Sequence, residues 1–139
     1  MVTKVHHFEY NISSIKKSRN FYDTFLKSLG WERFMTKKDI VGYTDGFIKL
    51  FLVQVEKNFK NRKFHRKHVG LNHIAFRVDS RKEVDNLYQL LIRNKINVLY
   101  GGPRDYSAEY SKGYYAVFFE DPDRIKLEVV FAPALSVVH

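Results

Sequence analysis

The chain has 139 residues, with 24 Lys and Arg against 15 Asp and Glu, a formal net charge of +9 with histidine neutral. Hydrophobic residues make up 45% and aromatics 16%, which excludes a disordered chain and suits one compact domain or two small repeats sharing a core. The absence of cysteine excludes a disulfide scaffold, a thiolate zinc site and a cysteine nucleophile.

No apolar run approaches the roughly 20 residues of a membrane span, and the segment Met1–His7 has no signal-peptide core. The expectation is a cytoplasmic protein with no membrane partner. From His7 to Ile12 polar and apolar residues alternate, the mark of a strand with one covered face. Phe8, Tyr10 and Ile12 take that face; His7, Glu9 and Asn11 take the other. Ser14 then starts a helix with apolar positions Ile15, Phe21, Phe25, Leu26 and Leu29, ended by Gly30 in a left-handed conformation. Ile48-Lys49-Leu50-Phe51 is a further strand.

Positive charge peaks between Lys57 and His68. This stretch has no zinc-finger frame and no RNA-recognition aromatic motif, so it reads as a solvated linker and predicts no specific nucleic acid. Alternation returns at His73, with Ile74, Phe76 and Val78 on one face and His73, Ala75 and Arg77 on the other. Ser80-Arg81-Lys82-Glu83 reads as a capping box ahead of a helix with the stripe Val84, Leu87, Leu91 and Ile92. Tyr100–Gly113 has little periodicity and reads as a binding loop or lid. Its Arg104, Tyr106 and Tyr110 either cover a substrate or face solvent. Asp121-Pro122-Asp123-Arg124 predicts a three-residue hairpin loop with Arg124 in the left-handed region. That register sets Phe118 opposite Glu128 and puts Lys126, Val130, Ala116 and Tyr114 on the same face.

These elements form an internal repeat. His7 lies over His73 at an offset of 66 without gaps, and Ile48–Phe51 lies over Ile125–Glu128 at an offset of 77, differing only in the last residue. The chain is therefore read as a single domain of two repeats, about 5–56 and 70–132, joined by a basic linker 57–69. The extra residues of the second copy fall in Tyr100–Gly113. Each copy is βαβββ-like, an α+β arrangement whose helices leave the histidine faces uncovered. With the copies packed as a pseudosymmetric pair, His7, His73 and Glu128 converge in one cleft. Two imidazoles and a carboxylate suit one divalent transition metal (Zn, Ni, Fe or Mn) with open positions, able to polarise a substrate oxygen or activate water.

The strands His7–Ile12 and His73–Val78, the helix containing Ser18-Arg19-Asn20-Phe21-Tyr22 and the hairpin Asp121–Glu128 resemble the vicinal oxygen chelate superfamily. That group includes glyoxalase I, fosfomycin-resistance transferases, methylmalonyl-CoA epimerase, extradiol dioxygenases and bleomycin-resistance proteins. The resemblance runs from about His6 to Phe131. It implies an α+β fold of two βαβββ modules around an open, barrel-like cleft, with His7, His73 and Glu128 at the metal-ligand positions. It also implies a homodimer in which modules of different chains complete a cleft. Two departures stand out. Phe51 occupies the position of a fourth, carboxylate ligand and cannot ligate, and Arg124 replaces a usual glycine.

Other candidates follow from strand parity. Glu9, two residues after His7, is placed as a general base or as a partner of Arg77. Tyr114 and Phe118 supply walls, and Arg77 and Phe51 join them as candidate substrate contacts. The expected function is a metal-dependent enzyme acting on a small oxygen-bearing metabolite, stabilising an enolate-like or oxyanion charge. Isomerase, lyase, transferase and dioxygenase chemistry all remain open. The alternative is a metal-free protein that binds and sequesters a small molecule.

Overall fold

A computed structural model describes residues 3–133. The chain divides after Phe64 into two compact units. In the first unit the elements are β1 (His7–Ile12), α1 (Ile15–Ser28), β2 (Glu32–Thr36), β3 (Ile40–Thr44) and β4 (Lys49–Gln54). They make a four-stranded sheet in the order β1-β4-β3-β2, with β1 parallel to β4 and the other pairs antiparallel. The second unit repeats this plan with β5 (His73–Arg77), α2 (Arg81–Arg93), β6 (Val98–Asp105), β7 (Tyr115–Glu120) and β8 (Lys126–Phe131), in the order β5-β8-β7-β6. Two βαβββ modules are present, as the repeat predicts.

Each helix starts and stops where local chemistry requires. Ser14 caps α1 by accepting from the Lys17 amide. The helix ends in a paired C-cap in which Trp31 N–H reaches Leu26 C=O and Gly30 N–H reaches Lys27 C=O, with Gly30 at φ 80°. The second helix closes identically, Ile96 to Leu91 and Lys95 to Ile92, but Lys95 (φ 54°) fills the glycine's place. The predicted capping box differs in one bond. Ser80 Oγ accepts from the Glu83 amide, while the Glu83 carboxylate takes the Asp79 amide and the Ser80 hydroxyl rather than the Ser80 amide.

The helices cover one face of each sheet. Tyr22, Phe25 and Leu26 of α1 are fully buried, as are Val41 and Leu52 of the strands, with Tyr43 and Leu50 nearly so; α1 packs on β2, β3 and β4. Val84, Leu87 and Leu91 of α2 lie on a sheet that buries Val117, Phe119, Leu127 and Val129. Each such side chain contributes about 1.5–3 kcal/mol. Two stripe residues depart from expectation. Phe8, on the edge strand β1, and Ile92 of α2 are about half exposed.

The first part of the segment Tyr100–Gly113 is strand rather than loop. Strand β6 runs on to Asp105 through a bulge between Leu99 and Arg104, where Tyr100, Gly101 and Gly102 all have positive φ. The remainder is tied down by Tyr110 N–H to Tyr106 C=O, Tyr106 N–H to Tyr114 C=O and Gly113 N–H to Ser107 Oγ. The loop buries Tyr106 against Ala116, Phe118 and Val130 in a second small core on the sheet face away from α2. Of the three loop residues named from sequence, Tyr106 is buried, whereas Tyr110 and Arg104 are exposed.

The basic linker is likewise more than solvated chain. Arg66 Nη1 lies 2.7 Å from Glu120 Oε1, and that carboxylate is buried. The predicted hairpin is present. Arg124 has φ 64°, and the Asp121 amide bonds Ile125 C=O at 3.0 Å.

Candidate metal centre

The second unit gathers the stronger half of the predicted site. Strands β5 and β8 run parallel with His73 beside Lys126 and Ala75 beside Glu128, while Phe118 of β7 faces Glu128. His73, Glu128 and Phe118 thus share one sheet face. His73 Nε2 lies 3.0 Å from Glu128 Oε2. The Glu128 side chain is only 1% exposed, so its charge needs partners; the other oxygen accepts from the Tyr114 hydroxyl at 2.5 Å. Burial, and then the hydrogen bond to Glu128, raise the Tyr114 pKa well above the ordinary phenol range. Tyr114 therefore keeps its proton and serves as a donor.

The other nitrogen of His73 is fixed as well. Nδ1 is 2.6 Å from Asn72 Oδ1, and an amide oxygen only accepts, so Nδ1 carries the proton. Nε2 is left to face Glu128, as a protonated partner or as a metal ligand. The 3.0 Å approach is that of a hydrogen bond. An imidazole nitrogen beside a carboxylate oxygen is also a donor set of the kind that holds a divalent ion.

The first unit carries the remaining candidates. His7, Glu9 and Asn11 alternate on the β1 face that also holds Lys49, Phe51 and Val53. His7 is exposed, with its ring edge-on to Phe51 at 5.6 Å and Nδ1 lying 2.9 Å from His6 Nδ1. Glu9 is exposed too. Phe51 packs edge-on against Phe34 at 5.7 Å. Phe34 in turn lies over Gly42, where a Cβ would come within 2.8 Å of its ring. Where the second unit sets a carboxylate beside its histidine, the first therefore sets a phenyl wall. Among the described residues of each unit, no three His, Asp or Glu side chains gather closely enough to hold an ion.

Comparison with known proteins supplies the family. Residues 4–129 match the Glyoxalase/Bleomycin resistance protein/Dioxygenase superfamily. The chain belongs to that superfamily. It is 36% identical to the uncharacterized protein YqjT of Bacillus subtilis, over 91% of this chain and 97% of that one. It is 30% identical to the metallothiol transferase FosB of Staphylococcus saprophyticus, over 93% of this chain and 77% of that one. A crystal structure of a protein from Bacillus halodurans superposes with a TM-score of 0.84 at 38% identity, covering 92% and 95% of the two chains.

Within this glyoxalase-superfamily fold the second unit brings His73, Glu128, Tyr114 and Phe118 together. Arg77 lies further along the same face of β5, opposite Val130. His7, Glu9 and Phe51 share the corresponding face of the first unit. Asn72 went unread in the sequence, and the contacts of Lys126 and Tyr100 were not foreseen. Asn72 orients His73, Lys126 lies with its ammonium 4.6 Å from the Phe118 ring centre, and Tyr100 packs its ring 5.5 Å from Phe118. Asn72 was legible in principle, because it precedes His73 as His6 precedes His7. No helix of the described residues is long and apolar enough to cross a membrane.

Proposed function

We propose that this chain is a divalent-metal-dependent enzyme acting on a small oxygen-bearing metabolite, with His73, Glu128 and His7 as the protein ligands. The observation that carries the reading is the His73–Glu128 pair, 3.0 Å apart, with Glu128 almost wholly buried. His7 is assigned by the repeat, being to β1 what His73 is to β5. The similarity to proteins named metallothiol transferases favours group transfer, with a thiol as the donor class, over isomerase, lyase or dioxygenase chemistry.

A bound ion would supply Lewis acidity toward a substrate oxygen. The chain's own groups do the rest. Asn72 holds the His73 ring in one tautomer, and the Tyr114 hydroxyl fixes one Glu128 oxygen. Phe118 and Phe51 provide apolar walls that keep water off the reacting atoms. Glu9 is the proposed base, and Arg77 a proposed substrate contact. The reading includes a homodimer with two equivalent sites, which sedimentation would reveal.

Metal analysis combined with thermal denaturation tests it. Mn, Fe, Ni or Zn is expected at one equivalent per chain and is expected to raise Tm. His73→Ala and Glu128→Gln should each abolish both effects. A folded chain whose Tm ignores all four metals would overturn the reading in favour of a metal-free binding protein.

A further inference from the structure

A cleft of about 430 Å³ opens in the first unit between the last turn of α1 and the strands β2 and β3. Small-molecule sites run from about 300 to 1,000 Å³, so the volume is sufficient for one. Asp23 and Lys27 of α1, Trp31, Arg33 of β2 and Tyr43 of β3 line it, and Gly30 leaves open space where a Cβ would stand. Arg33 and Tyr43 are partners across the β2–β3 ladder, and Tyr43 pairs in turn with Leu50. Their face is therefore the one that α1 covers, opposite the face of His7 and Phe51. Glu32 also borders the cleft, but alternation along β2 assigns its side chain to the His7 face.

The second repeat shows what the fold itself needs at these positions. Trp31 closes the cap of α1 with its amide on Leu26, and Ile96 does the same for α2 on Leu91. The cross-strand pair Arg33 and Tyr43 corresponds to Val98 and Phe119, both apolar. An aliphatic cap residue and an apolar pair therefore suffice to seat a helix on this sheet. The first repeat has instead the only Trp of the chain and a polar cluster. Tyr43 is buried and donates to Asp23 Oδ1 at 2.9 Å, and Arg33 Nε lies 3.0 Å from the same oxygen. Arg19 Nε stands 3.9 Å from Asp23 Oδ2, so two guanidinium groups offset one carboxylate. Lys27 is exposed, and among the described residues its ammonium meets no carboxylate. The cleft is left cationic beside an indole.

We propose that this cleft is a second binding site, for a small carboxylate with an aromatic body, its ring on Trp31 and its carboxylate on Lys27 and Arg33. Asp23 and Thr36 hold Nε and Nη1 of Arg33, which leaves Nη2 as a donor for the ligand. The guanidinium is thus fixed before a ligand arrives, and little ordering is lost on binding. A carboxylate gains charge-assisted hydrogen bonds there, and an aromatic ring gains the indole face. Because the sheet separates the cleft from the His7 face, its occupant is not the molecule that reacts there.

Since Trp31 is the only Trp, tryptophan emission reports on this cleft alone. Phenylacetate titrated into the full chain is expected to change that emission saturably. Its neutral isostere phenylacetamide and the cationic phenethylamine should bind at least about fivefold more weakly. Lys27→Met is expected to weaken phenylacetate binding about fivefold and to leave phenylacetamide binding as it was. Lys27→Arg should restore most of the loss. Lys27 is exposed, so its replacement leaves the core intact. Lys82→Met and His73→Ala should bind phenylacetate as the wild type does. No saturable change of emission, equal phenylacetate affinity in Lys27→Met, or a loss of binding in His73→Ala would each overturn the proposal.

Discussion

Asn72 Oδ1 accepts from His73 Nδ1 at 2.6 Å, and in the matching place of the first repeat the Nδ1 atoms of His6 and His7 lie 2.9 Å apart. In both copies the residue before the candidate ligand engages the same ring nitrogen. Partners of this kind hold a ligating imidazole in orientation, and their loss commonly weakens metal binding 10- to 100-fold.

Asn72→Ala should therefore weaken metal binding about tenfold with little change in the Tm of the metal-free protein, since Asn72 is exposed. Competition against a chelator of known affinity measures this. An unchanged affinity would mean that packing alone sets the ring.

The two helices end in the same pair of bonds, with Gly30 in one copy and Lys95 in the other. A left-handed lysine costs about 1 kcal/mol that glycine does not incur. Lys95→Gly is expected to raise unfolding stability by about that amount, and Gly30→Ala to lower it by about 1 kcal/mol. Denaturant midpoints at constant slope decide the matter.

Tyr106 is buried, and its hydroxyl has no hydrogen-bond partner among the described residues. An unsatisfied buried hydroxyl costs about 1–3 kcal/mol, so Tyr106→Phe should stabilise the chain by about 1 kcal/mol or more. A lower Tm in that variant would show that the hydroxyl has an acceptor in solution.

Asp105 opens the turn after β6. Hydrogen bonds from Ser107, and then Arg81, hold its pKa at about 2 against an ordinary 3.8. Because the folded value is depressed, its contribution is complete above the unfolded pKa and is lost as pH falls from 3.8 toward 2. The Ser107 amide resonance should shift with a midpoint near that lower value. A midpoint close to 4, the ordinary aspartate range, would show that the turn does not hold the charge.

Sequence alone was enough for the duplicated βαβββ plan, both serine caps, the Arg124 turn and the facing of Phe118 with Glu128, because these depend on period, cap chemistry and turn type within a few residues. It also separated the His73 and Glu128 face from the helix face by parity. Only the folded chain decided that Tyr100–Gly113 holds a strand, a bulge and a loop that buries Tyr106. Backbone hydrogen bonds to a distant strand carry no periodic signal. The same holds for Arg66 on Glu120, Lys126 between two rings and the 3.0 Å approach of His73 to Glu128. These contacts join residues far apart in the chain, and a one-dimensional pattern reports which way a side chain points without reporting what it meets.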